Sequence, residues 1–119
     1  MSNQVSWLLE LNVQAGQQQA FRALMNEMVS ATKAEEPGTL DYQWSLTADG
    51  TQCHLFERYA DSDAIMAHLG NFSSKYAERF MAVLTPVGFT IYGTPSAAVK
   101  EALAGFKPTY LTPAAGFSR

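Results

Sequence analysis

The sequence predicts an α+β domain with the element order β-α-β-β-α-β, followed by a short helix and an extended arm. Three observations lead there. Apolar residues alternate with polar ones in four separate runs, the two-residue period of strands. Two intervening stretches carry apolar residues every three or four positions, the stripe of an amphipathic helix. Glycine, proline and aspartate punctuate the junctions.

The first strand is read from Val5, Trp7, Leu9, Leu11 and Val13, with Leu8 adding apolar character to its opposite side. The first helix follows from Phe21, Leu24, Met25, Met28, Val29 and Thr32, and Pro37-Gly38 stops it, because a residue preceding proline is pushed out of the helical region. Leu40, Tyr42, Trp44 and Leu46 form the second strand. Ala48-Asp49-Gly50 turns the chain into a third strand, Gln52 to Ala60, with Cys53, Leu55, Glu57 and Tyr59 on one face and His54, Phe56 and Arg58 on the other. Asp61-Ser62-Asp63 supplies acceptors for the start of a second helix. Its stripe is Ile65, His68, Leu69, Phe72, Tyr76, Phe80 and Leu84; Gly70-Asn71 is where it would kink or divide, and Pro86 ends it. Val87, Phe89 and Ile91 make the fourth strand. Thr94-Pro95 caps a short third helix carrying Val99, Ala102 and Leu103, and the prolines at 108 and 113 suit an edge strand or arm. The expected organisation is one domain over residues 1–94, with the helix and arm of 95–119 packing on it or on a partner.

Bulk properties narrow the function classes. The chain has 119 residues, 8 Lys+Arg against 11 Asp+Glu, and no block of like charge. A nucleic-acid surface needs a clustered basic footprint, and an electrostatic membrane anchor needs the same. Cys53 is the only cysteine, so the fold does not depend on an internal disulfide, and no activating neighbour marks it as a catalytic thiol. The two histidines lack metal-ligand spacing, and no metal or cofactor is expected. Met1 to Glu10 lacks the basic start and apolar core of a signal peptide, and no run is long enough to span a membrane; the expected compartment is the cytoplasm.

The element order is the split βαβ pattern of ferredoxin-like folds: a four-stranded antiparallel sheet with helices on one face. Apolar residues on both sides of several strands call for a cover on the second face. Each large apolar side chain left wet forgoes roughly 1.5–3 kcal/mol. A second copy of the chain is the expected cover, giving a homodimer with two-fold symmetry. The arm, with Tyr110, Leu111 and Phe117, either reaches that copy or folds back on its own subunit.

Glu36-Pro37-Gly38 leading into Tyr42-Gln43-Trp44, then Phe56-Glu57-Arg58-Tyr59-Ala60-Asp61, then Ala67-His68-Leu69 with Lys75 and Tyr76 beyond, resemble the antibiotic biosynthesis monooxygenase domain of the dimeric α+β barrel superfamily. The resemblance runs from about Val5 to Thr94. It implies a ferredoxin-like subunit, pairing of two sheets, and a pocket between sheet and helices. Members of that family oxygenate aromatic polyketides or quinols with molecular oxygen and neither metal nor flavin, degrade haem, or isomerise a signalling molecule. The haem-degrading branch relies on an asparagine, a tryptophan and a histidine whose places here fall near Leu9, His68 and Ala77 or Glu78. None is kept, which disfavours that reaction.

His68 is the catalytic candidate. It lies on the apolar stripe of the second helix and can exchange protons near neutral pH. By resemblance it would take a proton from the substrate or hydrogen-bond a substrate hydroxyl; the alternative is a core histidine satisfied by a backbone carbonyl or a tyrosine. Quinol-oxidising relatives carry a second histidine five positions later, where this chain has Ser73. Trp7, Tyr42, Trp44, Tyr59, Phe72, Tyr76 and Tyr92 are the candidate substrate-binding aromatics, or else core and interface residues. Glu57 and Arg58 point to opposite faces, so one of them meets a covered face and needs a partner, at a rim ion pair or at the pocket. Three readings follow: a cofactor-independent monooxygenase acting on a small aromatic or quinol-like compound, a non-catalytic dimeric ligand-binding or stress-related module, and an isomerase or other proton-transfer enzyme.

Overall fold

The computed structural model describes residues 3–119; Met1 and Ser2, the start of the predicted domain, lie outside the described residues. The order is β1 (Val5–Val13), α1 (Gln18–Glu35), β2 (Thr39–Leu46), β3 (Gln52–Tyr59), α2 (Ser62–Lys75), α3 (Ala77–Val83), β4 (Leu84–Tyr92), α4 (Ala97–Leu103), a 3-10 turn (Ala104–Phe106) and β5 (Thr109–Leu111). The strands form one sheet in the order β2-β3-β1-β4-β5. The four predicted strands pair antiparallel, as the split βαβ pattern requires. A fifth strand departs from the four-stranded expectation. β5 pairs parallel to β4, with Thr90 opposite Thr109 and Tyr92 opposite Leu111. The arm therefore folds back on the edge of its own sheet here, where Pro108 just before it costs no ladder hydrogen bond.

The period-two reading of β1 is reproduced: Val5, Trp7, Leu9, Leu11 and Val13 are all buried. They face the helices. Phe21, Leu24 and Met28 of α1 and Phe80 and Val83 of α3 pack with Leu9, Leu11 and Leu55 in one cluster. Ile65 of α2 and Val99 and Leu103 of α4 pack with Val5, Trp7, Tyr59 and Ile91 in a second. The opposite face carries Leu8 aligned between Phe56 and Thr90, with Ser6 aligned between Arg58 and Tyr92.

Several element ends differ from expectation. The second helical stripe runs straight through Gly70 and divides at Tyr76, whose φ of -126° and ψ of -23° leave the helical region. A glycine alone weakens a helix without breaking it. Pro86 does not end that helix; α3 stops at Val83, and Pro86 lies within β4, where the β1–β4 register shifts between Glu10 and Leu11. A local irregularity of that kind accommodates a residue with no N–H. The cap of α4 is Ser96, whose Oγ accepts from the Val99 N–H, so Thr94-Pro95 lies just before it.

Candidate functional site

The two apolar clusters meet around a polar group that no hydropathy pattern announces. Glu57 falls on the inward register of β3 between Leu55 and Tyr59 and is 3% exposed. A buried carboxyl needs donors, since an unpaired one costs several kcal/mol. Three converge on it. The Trp7 indole N–H of β1 donates to Oε2, and the Tyr59 hydroxyl donates to Oε1. Nε2 of His68 lies 3.2 Å from the same Oε1. His68 sits one turn beyond Ile65 on the buried side of α2, which aims its ring at β3.

The other ring nitrogen is also engaged. Nδ1 of His68 is 2.7 Å from Oε1 of Glu36 at the C-terminal end of α1. Glu36 is held in turn by the Thr39 hydroxyl at 2.9 Å and the Asn71 amide at 3.1 Å. Gly38 makes this approach possible. A Cβ there would stand 2.6 Å from the Ala64 Cβ, and its carbonyl accepts the Ala60 N–H at 2.9 Å. Glu36-Pro37-Gly38 thus turns α1 sharply enough to lay a carboxylate against α2.

His68 therefore bridges two carboxylates. Burial works against its charged form, but the hydrogen bonds and charges of Glu36 and Glu57 outweigh burial and push its pKa up to about 9. At neutral pH it is an imidazolium with both N–H groups committed. For Glu36, burial favours the neutral acid, yet the bonds from His68, Asn71 and Thr39 hold its pKa below the ordinary value. Histidine as a plain neutral base, one of the readings open from sequence, thus meets an environment that favours the protonated ring.

A cavity of about 50 Å³ lies beside this bridge. Glu57 and His68 form its polar wall; Trp7, Tyr42, Phe72, Phe89, Leu103 and Phe106 are among its other walls. The Tyr42 hydroxyl is buried and has Thr32 and Trp44 as polar neighbours, yet it forms an aligned hydrogen bond with neither. Burial, and then the negative charge of Glu57 and Glu36, raise its pKa far above the ordinary phenol range, so it stays a donor.

Of the aromatics singled out from sequence, the structure brings Trp7, Tyr42 and Phe72 to the cavity. Tyr59 stands behind Glu57 and orients it, its ring 5.4 Å from that of His68. Trp44 packs on Phe21 and Phe80, and its neighbouring position on β2 takes it past the cavity. Tyr76 lies at the α2–α3 break, with the Arg79 guanidinium over its ring. Tyr92 is 40% exposed, because its register neighbour Ile91 takes the inward place. Glu36, Phe89 and Phe106 were not singled out as site residues. Arg58 lies on the other face, paired with Asp41, and His54 lies 3.6 Å from Glu10 at the surface. Cys53 is fully buried, and burial raises its thiol to about 11.

A helix-backed mixed sheet with an acid–base bridge at an apolar cavity defines a small α+β pocket protein. Residues 5–82 match antibiotic biosynthesis monooxygenase, and the chain belongs to that family. Among solved structures, MupZ from Pseudomonas fluorescens is similar at TM-score 0.87 and 26% identity, over 100% of this chain and 91% of that one. Rv0793 from Mycobacterium tuberculosis follows at TM-score 0.60 and 29% identity, over 80% of this chain and 98% of its own. A variant of SnoaB, a cofactor-independent oxygenase from Streptomyces nogalater, matches at TM-score 0.64 and 15% identity, over 81% of this chain and 97% of that one. No curated protein matches the chain. The match to MupZ thus includes α4, the 3-10 turn and β5, while the other two leave about a fifth of the chain unmatched.

Proposed function

We propose that this chain is a cofactor-independent monooxygenase acting on a small, largely apolar aromatic compound bearing a hydroxyl or enolisable carbonyl. The observation that carries the reading is the buried Glu57–His68–Glu36 bridge opening on an apolar cavity; family membership supports oxygenation as the reaction class. An ionised carboxylate offers about four acceptor positions, and Trp7, Tyr59 and His68 take up three on Glu57. The remaining one faces the work of accepting a substrate proton. The His68 ring orients the carboxylate, and the Tyr42 hydroxyl holds the substrate oxygen as it becomes anionic. The electron-rich anion then reduces molecular oxygen. One oxygen atom enters the substrate and the other leaves as water, the substrate supplying all the electrons. His68 is a positioning residue in this scheme, and a two-fold homodimer is the proposed working form.

A second reading, proton transfer without oxygen, is favoured by one observation. An imidazolium with a pKa of about 9 is a proton donor at neutral pH, which an isomerisation uses and an oxygenation does not require. An oxygen electrode with a panel of anthrones and quinols separates the two. Oxygen uptake in step with product, lost by at least 100-fold in Glu57→Gln, supports oxygenation. Product formed equally under argon would overturn it and leave proton transfer. Binding without any conversion would leave the ligand-binding module.

A further inference from the structure

The cavity beside His68 is far below the roughly 300 Å³ at which ligand sites begin. It does not end in solid core. A second hollow of about 230 Å³ lies on its far side, and the two share Leu9, Phe89 and Phe106 as walls. Phe106 is the partition. It stands edge-on to Phe89 at 6.0 Å and is 39% exposed, held by one aromatic contact and open to solvent. It belongs to the 3-10 turn that follows α4, beyond the residues matched to the family. Lys107 directly after it adopts φ 51°, the one non-glycine residue in the left-handed region among the described residues. A lysine pays for that conformation with strain that glycine would not carry. Leu103, by contrast, is 2% exposed and anchors α4.

We propose that Phe106 divides a two-part substrate site: the head of the substrate sits at Glu57 and Tyr42, and an apolar tail passes Phe106 into the hollow along Pro86, Val87 and Phe89. The inference rests on the acid–base reading of the inner cavity and adds a substrate class, an aromatic hydroxyl compound with an alkyl extension. With the partition turned aside, inner and outer spaces together approach the size of an ordinary ligand site. Tail burial along the hollow makes affinity grow with tail length.

The test uses phenol and 4-alkylphenols from methyl to octyl as probes, with binding read by calorimetry. The wild-type chain should gain up to about fourfold in affinity per added methylene until the hollow is filled, then level off. Phe106→Trp, which thickens the partition, should flatten that gain, each affinity being read relative to phenol in the same variant. Phe106→Ala should keep the gain and speed association of the longer members. A thermal melt of each variant reports whether the fold is intact, and Lys107→Gly, which relaxes the backbone beside Phe106 at the rim of the outer hollow, gives a second perturbation that should speed association of the longer members. Phenol binding with no dependence on tail length overturns the two-part site and leaves the inner reading standing. No binding by any probe, phenol included, overturns the inner reading and the tail site with it. An equal slope in wild type and Phe106→Trp removes Phe106 as the divider.

Discussion

The Glu57 carboxyl and the Tyr42 hydroxyl are both buried polar groups that make opposite contributions. Glu57 has all but one acceptor position filled, so its surroundings are built for it. Tyr42 carries a hydroxyl with no aligned partner, a group that costs about 1–3 kcal/mol when buried unsatisfied. Tyr42→Phe should therefore leave stability unchanged or raise it by about 1 kcal/mol, while catalysis falls at least tenfold. Urea unfolding beside steady-state kinetics checks both halves; a parallel loss of stability and activity would mean that the hydroxyl is structural. The histidine makes a pH prediction. Its folded pKa lies above its ordinary 6.5, so the stability it contributes is complete below about pH 6.5 and is lost as pH rises through about 9. Glu36 shifts the other way, so its contribution is complete above its ordinary 4.5 and is lost as pH falls through the lowered value. The urea midpoint should peak between about pH 4.5 and 6.5, and His68→Gln should remove the alkaline decline. A wild-type midpoint that is flat from pH 6.5 to 9 would contradict the bridge.

At the scale of elements, local periodicity carried most of the information. The inward set of β1 and the alternation Cys53, Leu55, Glu57, Tyr59 are visible in the sequence because side chains of a regular strand point to alternate faces. The same alternation places Tyr92 opposite Ile91 and so away from the cavity, a signal present in the sequence and outweighed by its aromatic character. Glu36 was beyond local reach. It meets His68 across 32 positions of chain, and only the packing of α2 on the α1–β2 turn joins them. Gly38 is the point where that packing is decided. Gly38→Ala should push the turn off Ala64, cost about 1–3 kcal/mol, and draw the His68 pKa down as Glu36 recedes. NMR titration of the His68 ring measures the shift, and an unchanged value would show that the turn does not set the bridge.

For the whole molecule, the sheet has a helix-covered face and a bare one. Leu8 and Phe56 are cross-strand neighbours on the bare face, partly buried even in a lone chain. Pairing of two such faces would bury the rest of them, at about 25 cal/mol for each Å² of apolar surface removed from water. Sedimentation at micromolar concentration should then report twice the 13.0 kDa of one chain, with Phe56→Glu shifting it to the single mass. A wild-type chain that sediments at 13.0 kDa would remove the pairing.

β4 begins at Leu84, two positions past the last residue of the family match, and on one side it is the neighbour of β1, the central strand. A fragment trimmed to 5–82 would leave β1 with a raw hydrogen-bonding edge and strip Ile91 and Leu103 from the second apolar cluster. Such a piece should be sticky rather than soluble. Conserved ancestry and autonomous folding therefore have different limits in this polypeptide, and expression work needs the latter.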